Sequence, residues 1–151
     1  MTVPQKIPKT IQKFLNSQKL GYVATVSTDN RPNLSPKGTI IAWDDETLAF
    51  ADIRSPHTLK NLEKNPNLEI NVVDPLIRKG YRFSGKGSII KKGEQFEAIL
   101  QNYRDNGIKS PINAIVLVTV EKISQVTSPL YDLGFSETNL KEKWKKYFND
   151  L

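Results

Sequence analysis

The chain contains no cysteine and only one histidine, His57, among its 151 residues. Without cysteine it can form neither a disulfide framework nor a thiolate metal site, and it has no cysteine nucleophile. One histidine is too few for a histidine-ligated metal site, so we predict no metal. A Ser-His-Asp triad would have to use Ser55, His57 and Asp52, which are crowded into one turn. We therefore name no catalytic residue, and any catalysis has to be carried by a bound cofactor.

Long hydrophobic runs are also absent. No run approaches the roughly 20 apolar residues that span a bilayer. The first ten residues, MTVPQKIPKT, lack the continuous apolar stretch of a signal peptide. We therefore expect a soluble, cytoplasmic protein without a membrane segment. The length fits one ordinary domain, so we expect a single domain over residues 1–151.

The formal net charge is +6, and a positive excess can indicate nucleic-acid binding. Much of this excess, however, lies on lysines of two predicted end helices, where lysines usually form the solvent-facing side. These are Lys6, Lys9, Lys13, Lys19, Lys141, Lys143, Lys145 and Lys146. Nucleic-acid binding is therefore not favoured.

Hydrophobic periodicity predicts a mainly β, α+β fold. Apolar residues at helical spacing predict helices over 8–18, 94–106 and 137–149, and capping residues predict a further helix over 56–65. Runs of β-branched or aromatic residues predict six strands, over 21–27, 33–43, 47–52, 68–73, 81–90 and 114–123. Pro36 and Gly38 interrupt the second run, which must therefore bulge or lie at a sheet edge. Short turns and the absence of a G-x-G-x-x-G or Walker motif favour an antiparallel sheet closed as a small barrel.

One helix start has the residues of an anion site. Ser55 is predicted as the N-cap of the helix over 56–65, with Pro56 at its first position. Unpaired N–H groups at a helix N-terminus bind phosphate readily. Arg54, Ser55, Thr58 and Lys60 would offer a guanidinium, two hydroxyls and an ammonium to one anion. The alternative interpretation is an ordinary capped surface helix.

A second segment could contact a planar ring. In Ser35-Pro36-Lys37-Gly38 the proline and glycine break a strand and expose its backbone N–H and C=O groups. Those groups could form hydrogen bonds with the polar edge of a ring. The alternative is an edge-strand bulge that binds no ligand.

Three ordered motifs give the chain a resemblance to a known family. They are GYVATVSTDNRPNLSPKGTI at 21–40, LAFADIRSPHTLKNLEKNPNLEINVVD at 48–74 and YRFSGKGSI at 81–89. With them the chain resembles the pyridoxamine 5′-phosphate oxidase-like family of flavin-binding split barrels over about residues 10–125. The resemblance implies a six-stranded antiparallel split barrel with short flanking helices. The segment SPLYDLGFSETNLKEKW at 128–144 is similar to the end of one branch of the family.

The resemblance also implies a cofactor and a partner. Family members dimerise and hold one flavin mononucleotide (FMN) in each of two clefts at the dimer interface. By this resemblance Ser35, Pro36 and Lys37 lie along the isoalloxazine ring, with Ala51, Asp52 and Ile53 nearby, while Arg54, Ser55, Thr58 and Lys60 hold the phosphate and ribityl chain. The chain would then be a homodimeric oxidoreductase acting on a small substrate. Lys37 is a candidate for stabilising negative charge on the reduced ring.

Departures from the pattern argue against vitamin B6 oxidation. Pro56-His57 replaces part of the basic segment of the true oxidases, and their carboxy-terminal extension with substrate-holding Trp and Arg residues is not matched. Trp144, Tyr147 and Phe148 instead either cover apolar barrel surface or bring Trp144 to the flavin. Two alternatives stay open: the same fold binding a deazaflavin or heme, and a non-enzymatic flavin-binding module.

Overall fold

The computed structural model describes residues 3–151. In chain order, its elements are α1 (Lys9–Gln18), β1 (Gly21–Val26), β2 (Pro32–Lys37), β3 (Ile41–Ala42), β4 (Thr47–Asp52), α2 (Pro56–Lys64), β5 (Asn67–Asp74), β6 (Lys79–Ile90), α3 (Glu94–Asp105), β7 (Ala114–Thr127), a 3-10 helix (Pro129–Leu133) and α4 (Glu137–Asn149). No helix in the described range is both long and apolar enough to cross a membrane.

The strands form one curled antiparallel sheet in the order β2-β1-β5-β6-β7-β4-β3. The predicted fold class, an α+β protein built on an antiparallel split barrel, is confirmed. A polar turn over residues 28–31 joins β1 to β2, and Asn30 takes the left-handed backbone there with φ of 62°.

The strand predicted over 33–43 is wrong as a single element. It is divided into β2 and β3, which lie at opposite edges of the sheet, so residues 3–151 contain seven strands and not six. β2 pairs with β1, whereas β3 pairs with β4. Pro36 lies in an edge strand, as predicted, because a residue without an N–H cannot serve a central ladder on both sides.

The main core fills the concave side of the sheet. It includes the fully buried Val23, Ile70 and Phe83, and Leu15 of α1 and Leu62 of α2 belong to the same cluster. The two helices lie on this side because their apolar positions recur every three or four residues and form one face. α2 thereby has a fixed position beside the sheet, and its first turn starts where β4 ends.

β4 is buried on both faces. Its inward residues, Leu48 and Phe50, belong to the main core, and its outward residues, Ala49 and Ala51, belong to a second cluster with Ile99 and Tyr103 of α3. Strand side chains alternate between the two faces, so the small alanines let α3 approach closely while the large residues fill the barrel. The strand that leads into the candidate site is therefore held from both sides.

Candidate functional site

A cleft of about 350 Å³ opens where the end of β2, the end of β4 and the start of α2 meet. Seven of the ten residues that the sequence analysis assigned to cofactor binding line it: Ser35, Pro36, Lys37, Ala51, Ile53, Arg54 and Ser55. Two stretches that are 14 residues apart in sequence thus form one site. Its volume lies within the range of about 300–1,000 Å³ that small-molecule sites occupy.

Lys37 is the buried cation of this cleft. It is the last residue of β2, and only 6% of it is exposed. Its Nζ donates hydrogen bonds to Ser35 Oγ (2.9 Å) and to Ser55 Oγ. Burial lowers the pKa of Lys37 from 10.5, and the negative charge of Asp52 opposes this shift. Among residues 3–151, no carboxylate lies within ion-pair distance of the ammonium, so its charge is stabilised mainly by neutral hydroxyls.

Asp52 holds the start of α2 in place. Its carboxylate Oδ1 accepts the backbone N–H of Ser55 at 2.8 Å, and its carbonyl accepts the N–H of Asn113 at 3.0 Å. The prediction that Ser55 caps α2 is correct for its position and wrong for its side chain. The hydroxyl makes no capping hydrogen bond and instead accepts from Lys37, so within the described residues no side chain accepts a hydrogen bond from the first amide groups of α2.

The remaining residues of the predicted anion site are placed differently. Arg54 is exposed on the cleft wall, beside the N-terminus of α2. Thr58 is 2% exposed and Lys60 is exposed, and neither is part of the cleft lining. Their roles toward a phosphate stay predictions. His57 is exposed, and within residues 3–151 its side chain makes no hydrogen bond to Ser55 or Asp52.

Thr39, which no sequence pattern indicated, also lines the cleft and is 7% exposed. Its Oγ1 accepts the N–H of Ala51 at 2.9 Å, and its carbonyl accepts the hydroxyl of Tyr103 at 2.8 Å. Burial raises the pKa of Tyr103 far above its usual 10.0. Thr39 and Gly38 also line a second pocket of about 410 Å³, together with residues of α1, β3 and α3. Only the interruption of the strand pattern at Gly38 pointed to this segment.

The aromatic residues of α4 lie apart from the cleft lining. The guanidinium carbon of Arg78 lies 3.7 Å from the ring centroid of Trp144. Leu140 is fully buried, whereas Tyr147 and Phe148 are 52% and 45% exposed. The predicted apolar face of this helix thus packs well at its first turn and is half exposed at its last.

Comparison with known proteins identifies the family. The family model described as "Pyridoxamine 5'-phosphate oxidase" matches residues 7–127, which is most of the chain. This chain belongs to the pyridoxamine 5′-phosphate oxidase family. The match does not extend to α4, so the single domain over residues 1–151 stays a prediction. No curated protein matches the sequence.

Solved structures of relatives agree with this membership in the pyridoxamine 5′-phosphate oxidase family. HupZ of Group A Streptococcus, in a tagged form, is 32% identical with a TM-score of 0.72, over 81% of this chain and 95% of its own. An FMN-binding protein from Syntrophomonas wolfei subsp. wolfei is 18% identical with a TM-score of 0.70, over 80% and 86%. An F420 reductase is 21% identical with a TM-score of 0.60, over 78% and 98%. The last two likenesses show the fold alone.

The cleft of this family member offers three kinds of group to a ligand. Lys37 supplies a desolvated positive charge, and Arg54 supplies an exposed guanidinium beside uncapped amide groups. Pro36, Ala51 and Ile53 supply apolar contact area. A ligand that joins an apolar ring system to an anionic group would use all three at once.

Proposed function

We propose that this chain is a cytoplasmic flavoprotein that binds FMN in the cleft at Lys37 and acts as an oxidoreductase on a small substrate. The observation that carries the proposal is the buried Lys37 ammonium, which faces a ligand-sized cleft and, among residues 3–151, has only hydroxyl groups as hydrogen-bond partners. A buried charge that has no ion-pair partner is costly. An electron-rich acceptor in the cleft would offset that cost.

The residues present fit the two ends of FMN. At the ring end, the segment of Ser35, Pro36 and Lys37 would lie along one edge of the ring. Ala51 and Ile53 would provide apolar contacts. Asp52 acts through Ser55, because its carboxylate fixes the Ser55 backbone.

At the phosphate end, the uncapped start of α2 presents free N–H groups and the positive end of its dipole. Arg54 adds a guanidinium that can take two phosphate oxygens at once. We propose that Thr58 and Lys60, on the same first turns, would also hold the phosphate and ribityl chain.

When bound, a flavin supplies hydride and electron transfer, which the protein side chains cannot perform. The contribution of this chain is then to bind and orient the ring and to exclude water from its polar edge. The Lys37 Nζ lies in the partly desolvated wall of the cleft. A positive charge there interacts more strongly with a negative charge than it does in water. We propose that Lys37 thereby stabilises the negative charge that develops on the ring upon reduction.

We also propose that the chain is a homodimer with the cofactor at the interface. Three large apolar side chains are exposed on or near the cleft: Tyr22 (43%), Leu34 (67%) and Ile53 (36%). Tyr22 pairs with Pro36 across β1 and β2, so the apolar surface is continuous with the ring end of the cleft. A contiguous apolar patch on a small protein favours association. Sedimentation velocity tests this: a monomer at micromolar concentrations would contradict it.

The decisive experiment is a visible spectrum of the protein reconstituted with FMN and freed of unbound cofactor. Bound flavin is expected to absorb at about 450 nm, a deazaflavin nearer about 420 nm and heme as a Soret band. A deazaflavin or heme spectrum from the protein as isolated, with no exchange for FMN, would refute FMN as the cofactor. A protein that retains none of the three would refute the cofactor proposal altogether.

Turnover is tested separately. The FMN-loaded protein is mixed anaerobically with NADH or NADPH, and bleaching near 450 nm (an approximate flavin value) is followed. Reoxidation by a panel of small acceptors then identifies the substrate class. In the contrary result, the flavin of the loaded protein fails to cycle, both with the nicotinamide reductants and with dithionite followed by any acceptor. That result would instead support a non-enzymatic flavin-binding module.

A further inference from the structure

Arg78 lies in the turn between β5 and β6, and its backbone is fixed there from two sides. Its N–H donates to the carbonyl of Asp74 at 2.8 Å, and its carbonyl accepts the N–H of Ser128 at 2.9 Å. Its φ is +55°, a left-handed conformation that costs free energy in a residue with a side chain. The turn therefore holds an arginine where glycine or asparagine would be less strained.

The side chain of Arg78 is stacked but has no hydrogen-bond acceptor. The guanidinium carbon lies 3.7 Å from the centroid of the Trp144 ring. Among residues 3–151 no atom accepts a hydrogen bond from this guanidinium, and no carboxylate lies within 4.0 Å of it. Arg78 Nε and Trp144 Nε1 are both buried without a partner. Buried donors in native proteins nearly always have an acceptor, so the unpaired Arg78 guanidinium is a candidate to receive one from a ligand.

A pocket of about 260 Å³ lies against Arg78. Its walls are mostly apolar, and Arg78 is their one charged residue; the lining is Gln18, Leu20, Tyr22, Val73, Pro75 and Arg78. None of these residues lines the proposed flavin cleft. The pocket is nevertheless adjacent to that cleft, because Tyr22 is the cross-strand partner of Pro36.

We propose that this pocket binds a small organic carboxylate with an apolar body. The guanidinium receives the carboxylate, for which its planar fork is geometrically matched. Leu20, Tyr22 and Val73 contact the apolar part of the ligand. A carboxylate fits better than a phosphate because the pocket supplies one cation and otherwise apolar walls, and a phosphate would leave its further charge and oxygens unpaired.

Trp144 is a positioning residue in this site. Its ring holds the guanidinium plane by stacking and cation–π attraction, while the N-terminal part of α4 is held by the buried Leu140 and by the Glu137–Lys79 ion pair of 2.9 Å. Because the indole is in contact with Arg78, its fluorescence is expected to report on ligand binding. The proposal does not depend on FMN binding elsewhere.

The test uses the full-length protein without added cofactor. Hexanoate, cyclohexanecarboxylate and phenylacetate are titrated by calorimetry up to about 10 mM, which reaches the weak millimolar range. Cyclohexanecarboxamide, a neutral compound of matched shape, is the control ligand. We expect at least one acid to bind and to change the Trp144 fluorescence, and the amide not to bind. Binding of none of the three acids, or equal binding of acid and amide, would overturn the proposal.

Variants locate the binding site. Arg78→Gln is expected to weaken acid binding by about tenfold or more, because a charged hydrogen-bonding partner is lost. Arg82→Gln, which removes an exposed arginine on β6, is the matched control and should bind normally. Trp144→Phe should abolish the fluorescence change, which assigns the signal to Trp144 over Trp43, while calorimetry still detects binding.

Two outcomes would contradict the assignment to Arg78: unchanged acid affinity in Arg78→Gln, or equal loss in Arg78→Gln and Arg82→Gln. Thermal unfolding and sedimentation velocity of each variant check the fold and the oligomeric state. If Arg78→Gln does not fold, Val73→Phe, which fills the pocket and leaves the guanidinium in place, takes over the test. Unchanged acid binding in that variant would also overturn the proposal.

Discussion

Replacing Lys37 by methionine should stabilise the cofactor-free protein and weaken FMN binding at the same time. Lys37 is 6% exposed and its ammonium has hydroxyl groups as hydrogen-bond partners, so the folded state bears a desolvation cost that methionine does not have. Removing a poorly compensated buried charge in favour of an apolar side chain is expected to gain about 1 kcal/mol. The substitution also removes the charged hydrogen-bond donor that Lys37 would offer to the ligand. FMN binding should therefore weaken by about ten- to hundredfold. Opposite signs for stability and binding are typical of functional sites.

The stability effect of Lys37→Met also depends on pH. Burial lowers the pKa of Lys37 in the folded protein below 10.5. Below the lowered pKa the folded state bears the whole cost of the buried ammonium. As the pH rises through that pKa toward 10.5 the unfolded state binds more protons, and the wild-type protein gains stability. The difference between variant and wild type should therefore be largest near neutral pH and shrink toward pH 10.5.

Urea unfolding of the cofactor-free proteins measures the stability, and quenching of FMN fluorescence measures the affinity. Lys91→Met, which removes an exposed lysine, is the matched control and should change neither quantity. A variant at Lys37 that binds FMN as tightly as the wild type would refute its role at the ring. A loss of stability of 1 kcal/mol or more (an approximate threshold) without cofactor would refute the electrostatic reasoning.

Three further predictions concern the hydrogen bonding, close packing and ion pairing of the fold. Tyr103→Phe should cost about 1–3 kcal/mol in urea unfolding, because the carbonyl of Thr39 loses its donor. It should also abolish part of the alkaline loss of stability, since the raised pKa of Tyr103 gives stability below pH 10.0 that is lost as the pH rises; an unchanged alkaline profile would contradict this. Gly80→Ala should unfold or strongly destabilise the protein, as its Cβ would lie 2.0 Å from the Val72 carbonyl oxygen, and a normal melting temperature would refute it. Glu137→Gln should lower stability by less than about 1 kcal/mol, because the carboxylate is 56% exposed, and a larger loss would show that α4 depends on this pair.

Much of the fold follows from local patterns, because the helices and most strands have clear periodicity. The division of 33–43 into β2 and β3 could not be predicted this way. Pairing of β3 with β4, and of β2 with β1, is decided by contacts between distant residues. β7 likewise continues to Thr127 because Lys79 pairs with that residue, although the apolar pattern stops earlier.

The candidate site shows a similar division. Local rules placed Ser55 at the start of α2 but could not show that its hydroxyl accepts from Lys37, which is 18 residues away in sequence. They also could not find Thr39, whose importance rests on hydrogen bonds to Ala51 and Tyr103. A threonine after a glycine carries no signal of its own until the elements around it are assembled. The stacking of Arg78 on Trp144 was invisible for the same reason.

The crossover at residues 38–40 limits how far the barrel can open. It joins β2 and β3, the two edge strands of the sheet. A flat sheet of this strand number would separate its edges by about 29 Å, since neighbouring strands lie about 4.8 Å apart. The backbone from Lys37 to Ile41 can reach only about 14 Å. The covalent chain therefore acts as a short tether across the split, and its length sets the greatest width of the adjoining cleft. Inserting residues into this tether would be a direct way to widen the cleft for a bulkier ligand.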